Sequence, residues 1–98
     1  MINMASLRDL KKEIDYCLEG FVFDCDMAIC FQPEKEAEIF ELMMAGVELR
    51  NELFAKVSNP GEPHNRSLVR KYYAALRREM VESFGGLFEK LSAVNSKK

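Results

Sequence analysis

The residues of this chain that could do chemistry are few, and their spacing decides how each is read. Two Glu-x-x-Glu pairs, Glu38–Glu41 and Glu79–Glu82, set carboxylates on adjacent turns of a helix, an arrangement able to hold magnesium. Both pairs fall off the apolar stripes traced below, so they read as solvated faces. The single histidine, His64, follows Pro63 in a Pro/Gly cluster and has no ligand partner at helical spacing. A di-iron centre in a helical bundle needs glutamates and histidines projecting inward together. No serine or cysteine has a histidine that the sequence places beside it, so no nucleophile–base pair is expected either. The expectation is a non-enzyme with no metal and no cofactor.

Cys17, Cys25 and Cys30 are separated by eight and five residues, spacings that match no zinc or redox motif. On one straight helix Cys25 and Cys30 point to different faces, because five residues turn the helix about 140° beyond a full turn. They are expected to be free, reduced thiols that pack as small hydrophobes. Asp24 and Asp26 stand out because they interrupt an otherwise apolar run from Phe21 to Phe31. A buried, unpaired carboxylate costs several kcal/mol or takes up a proton. Each is therefore expected at the edge of an interface, paired with an arginine or facing water.

The densest charge feature is basic. Residues 66–78 carry Arg66, Arg70, Lys71, Arg77 and Arg78 with no acidic residue and with Tyr72 and Tyr73 interleaved. A nucleic-acid-binding helix could use such a composition. Arg66, Arg70 and Arg77 nevertheless line one flank while Lys71 and Arg78 line another. Charge matching to the acidic first helix and the acidic start of the second, within the chain or across a dimer, is the preferred reading.

These residues must be carried by three long helical segments, about 6–31, 33–57 and 66–94. The breakers between them are Gln32-Pro33 and the cluster Ser58-Asn59-Pro60-Gly61-Glu62-Pro63. The first opens on Ser6-Leu7-Arg8-Asp9, a capping-box pattern. Its main stripe is Leu7, Leu10, Ile14, Cys17, Leu18, Phe21, Cys25, Ala28 and Ile29. A second row, Tyr16, Phe23, Met27 and Cys30, lies almost opposite, so this helix wants two partners. Its polar remainder, Glu13, Asp15, Glu19, Asp24 and Asp26, meets no Lys or Arg between positions 13 and 31. Pro33 ends that helix and suits the first position of the next, whose positive end carries Glu34, Glu36 and Glu38. So short a connection makes antiparallel neighbours.

The second stripe is Ile39, Phe40, Met43, Val47, Phe54 and Val57, widened by Leu42, Leu49 and Leu53. Gly46 between the rows is expected to admit another helix, and Arg50 to lay its stem on the core while reaching a carboxylate or water. The third stripe is Val69, Tyr73, Leu76, Met80, Phe84, Leu87, Leu91 and Val94, with Tyr72 and Phe88 beside it and Asn65 or Ser67 as caps. It stays in phase across Gly85-Gly86, so that helix is expected to continue through them.

Ninety-eight residues make one domain, 1–98, and 48% hydrophobic with 31% charged residues argue against disorder. A net charge of −2 disfavours whole-chain binding to a polyanion. No apolar run is long enough to span a membrane, and the N-terminus turns charged at once, which leads to a cytoplasmic expectation. Met4 serves as well as Met1 as the start.

With Ala5-Ser6-Leu7-Arg8-Asp9-Leu10-Lys11-Lys12 near one end and Leu87-Phe88-Glu89-Lys90-Leu91-Ser92-Ala93 near the other, the chain resembles a group of short uncharacterised bacterial all-helical proteins. The resemblance implies a helical fold and no activity. The expected architecture is all-α, an up-down-up bundle of three long helices. The expected function is contact with other proteins, as a homodimer or adaptor, through Tyr16, Phe23, Met27 and Cys30. A nucleic-acid-associated module using the basic start of the third helix is the second expectation. A small ligand-binding or enzymatic bundle is the third.

Overall fold

The computed structural model describes residues 4–58 and 66–96, with side chains described over 8–58 and 66–95. Its order is α1 (Met4–Phe31), a single 3-10 turn (Pro33–Lys35), α2 (Glu36–Ser58) and α3 (Arg66–Ser96). No strand occurs among the described residues. The protein is an all-α, up-down-up three-helix bundle.

Helix α1 already runs at Met4, two residues ahead of Ser6, so the expected capping box does not mark its start. Methionine and alanine are good helix formers, and nothing in Met4-Ala5 opposes the helix. At the other end Gln32 leaves helical geometry with φ −136° and ψ 68°. Its N–H still donates to the Ala28 carbonyl at 2.8 Å, and its own carbonyl accepts from the Lys35 N–H at 2.9 Å. Pro33 opens the 3-10 turn, where its missing N–H costs nothing. The chain thus reverses within a single turn of backbone. The segment 59–65, with His64 and Asn65, lies outside the described residues. Ser67 is already inside α3 and therefore is not its cap.

All eight residues of the expected α3 stripe are buried, and the helix passes through Gly85-Gly86 without a break. Facing them from α1 are Leu10, Ile14, Phe21, Cys25 and Ala28. The α2 stripe is rotated from its expected centre. Its deepest residues are Ile39, Gly46, Leu53 and Val57, while Phe40 is 53% exposed. Gly46 causes this shift. A Cβ there would lie 3.0 Å from Phe21 Cδ2 and 3.3 Å from Leu18 Cδ1, so α2 presses its glycine line against α1 and turns Phe40 outward. The Phe21 ring then meets Phe88 edge-on, with centroids 5.2 Å apart. Tyr73 Oη donates to the Val57 carbonyl at 2.7 Å and Tyr72 Oη to the Lys56 carbonyl at 2.8 Å. These bonds satisfy two of the carbonyls left open where α2 ends.

Three contacts fix the vertical register. Arg77 pairs with Glu13, Phe88 meets Phe21 edge-on and Gln32 Nε2 donates to Asn95 Oδ1. A residue of α1 therefore lies level with the α3 residue about 65 positions later. The result is long and thin, 52 × 18 × 14 Å across its Cα atoms.

Candidate functional site

The second row of α1 faces outward. Tyr16 is 78% exposed, Phe23 63% and Met27 42%, and Cys30 is exposed as well. Helices α2 and α3 do not clamp α1 from opposite sides; both pack along its Leu10–Ala28 row and its flanks. The sequence shows this row because seven-, four- and three-residue steps keep side chains on one helical face. It missed Phe31, 78% exposed, although Phe31 stands four residues beyond Met27 and extends the same face. Val81, 63% exposed on α3, was also missed, because it interrupts no pattern and follows directly on buried Met80.

Met27 and Phe31 border a groove of about 410 Å³ between α1 and α3, with Asp24, Phe88 and Leu91 among its other walls. Asp24, Asp26 and Glu19 are exposed, and no described residue pairs with them. The arginine partners expected for Asp24 and Asp26 are not found in the chain's described residues. The acidic residues nearer the start of α1 do find partners. Arg50 Nε donates to Asp15 Oδ1 at 3.0 Å, with its guanidinium 3.8 Å from the Phe54 ring centroid, as its place in the α2 stripe implied. Glu13 takes Arg77.

Of the five cations at the start of α3, then, Arg77 alone is matched within the described chain. Arg66, Arg70, Lys71 and Arg78 are exposed and have no partner among the described residues. Arg66, Arg70 and Lys71 surround a shallow hollow floored by Ser67 and Ala74. Arg66 and Arg70 of one flank and Lys71 of the other thus share one hollow, which Arg77 and Arg78 do not line.

The carboxylate pairs and thiols fall elsewhere. Glu38, Glu41 and Glu82 are exposed, and Glu79 accepts from Lys56 Nζ at 2.8 Å. That hydrogen bond is the largest cause of the raised Lys56 pKa, with the Glu79 charge adding to it. Among the described residues no group of three or more His, Cys, Asp or Glu is placed to hold a metal. All three cysteines are free. Burial pushes the Cys25 thiol up to about 11, and the charges of Asp26 and Asp24 push the same way. Burial also raises Cys17, with help from Glu13. A thiol held protonated is a poor nucleophile. No described helix is long and apolar enough to cross a membrane. Comparison with family models, with curated proteins and with solved structures finds no match to this chain.

Proposed function

We propose that this protein works by contact with other proteins, as a cytoplasmic homodimer or adaptor, and not as a catalyst. The outward apolar row of α1 carries the reading. Tyr16, Phe23 and Met27 stand 78, 63 and 42% exposed beside Cys30 on a helix whose other side already supplies the core. Soluble monomers rarely leave such a contiguous patch in water unless it binds something. The double substitution Phe23→Glu with Met27→Glu tests it. Neither side chain belongs to the core, so the variant should keep its helical circular dichroism and lose its partner. Unchanged mass in solution and unchanged capture of cellular partners would reject the reading.

A second reading is favoured by one observation, the four cations at the start of α3 that lack described partners. They could grip a phosphate backbone, making the chain a nucleic-acid-associated module. Micromolar binding of a DNA or RNA duplex that weakens steeply with salt would support it.

A further inference from the structure

We infer that the occupant of the exposed α1 face is a second copy of this chain, related by a two-fold axis that sets the bundles antiparallel. The acidic C-terminal half of α1 then lies on the basic N-terminal half of the second copy's α3. The inference rests on the protein–protein reading above and names its partner.

Charge is the first ground. Glu19, Asp24 and Asp26 towards the end of α1 and Arg66, Arg70, Lys71 and Arg78 at the start of α3 are clusters of opposite sign, exposed and without described partners, among other such charges on both helices (Arg8 and Lys12 on α1, Glu82 and Glu89 on α3). Within one chain Asp24 and Asp26 cannot meet Arg66, Arg70 or Lys71, although Glu19 stands only about 9 Å along the axis from Arg78. Asp24 is level with Phe88, which lies 18 residues from Arg70, or about 27 Å at the helical rise. That exceeds three Debye lengths at physiological salt. A two-fold that reverses the bundle brings each acidic end onto a basic end, and does so twice per dimer. The bundle axes must cross obliquely, since the contact runs from α1 of one copy to α3 of the other.

Shape is the second ground. Level with one another on α1 and α3 stand Tyr16 and Val81, both exposed, and one turn on, Gly20 and Gly85. A Cβ at either glycine would meet nothing within 4 Å. Mid-helix glycine lowers helix propensity against alanine, and no described residue uses the space these two leave. Each leaves a bare stretch of helix surface near mid-length, with exposed Tyr16 and Val81 one turn before it. A helix crossing at that height can come close and lodge such a side chain.

Area is the third. Tyr16, Phe23, Met27 and Phe31 leave on the order of 500 Å² in water, given their exposure and the size of such side chains. Val81 and the charged rim extend this area towards the ~800 Å² per partner typical of a stable interface.

The test is sedimentation equilibrium of the whole chain at tens of micromolar, with circular dichroism to verify folding. Wild type should have the mass of two chains and dissociate more readily as salt rises. Arg70→Glu with Arg78→Glu should weaken the dimer at least tenfold, as should Asp24→Lys with Asp26→Lys. An equimolar mixture of the two variants should restore dimers, because each then offers the other two attractive contacts. A wild-type mass of one chain overturns the inference, and so does a dimer indifferent to both charge reversals. In the latter case Phe23→Glu with Met27→Glu still decides the protein–protein reading by itself. A one-chain mass together with salt-sensitive binding of a DNA duplex would assign the cations to nucleic acid instead.

Discussion

The ring of Phe21 lies 3.0 Å from the point where a Cβ on Gly46 would stand. Phe21 is fully buried and wedged against Phe88, so it cannot yield. Gly46→Ala therefore sets a gain of about 1 kcal/mol in helix propensity against an overpacking cost of 1–3 kcal/mol. The net effect should be destabilising. At Gly86 a Cβ meets nothing within 4 Å, and Gly86→Ala should stabilise by about 1 kcal/mol. Urea denaturation of the two variants should give opposite signs.

Removal of one hydroxyl should separate Tyr73 from Tyr72. Tyr73 Oη reaches the Val57 carbonyl in a buried setting, so Tyr73→Phe should cost 1–3 kcal/mol, approximately the penalty of a buried acceptor left alone. Tyr72 Oη serves the Lys56 carbonyl where water can replace it. Tyr72→Phe should cost about 0.5 kcal/mol or less, read from the same denaturation curves.

Arg50 should matter more than its ion pair. Asp15→Ala removes a half-exposed partner worth about 0–1 kcal/mol. Arg50→Ala also removes the guanidinium from the Phe54 ring, a further ~0.5–1 kcal/mol. In a double-mutant cycle the coupling between Arg50 and Asp15 should be smaller than the whole effect of Arg50→Ala.

Alkaline pH should weaken the fold through Cys25. Its thiol has an ordinary pKa near 9 and is pushed up to about 11 in the fold. Between those values the unfolded chain has lost the proton and the folded one keeps it, so stability falls as pH rises. The loss should be complete above about 11 and amount to some 2–3 kcal/mol. Cys25→Ala should show a shallower decline from pH 8.5 to 10.5. Thiol labelling in the folded state should reach Cys30 first and Cys25 only on unfolding.

The helices were legible in the sequence to different depths, for a physical reason. Helix α3 has one apolar stripe and polar residues elsewhere, so all eight of its core positions follow from spacing. Helix α2 is apolar over a wide arc, and spacing alone does not say which line goes deepest. The contact of Gly46 with Phe21 decides it and sends Phe40 outward. On α1 the sequence shows two rows but not whether the chain itself would cover both. Covering the second would take a helix on its far side, and the single-turn reversal at Pro33 keeps α2 beside the first. The isolation of Arg70 and Arg78 from Asp24 is equally invisible in composition, because it depends on the vertical register of α1 against α3.

The bundle's length bears on how its mass must be measured. Its Cα radius of gyration is 15.9 Å, against about 12.6 Å for a compact sphere-like chain of this size. A rod of these proportions meets more drag than a sphere of equal mass, so on a calibrated sizing column a single chain would run ahead of its weight. Elution volume alone would therefore counterfeit a pair of chains, and light scattering or equilibrium sedimentation, which weigh the particle independently of its friction, would not.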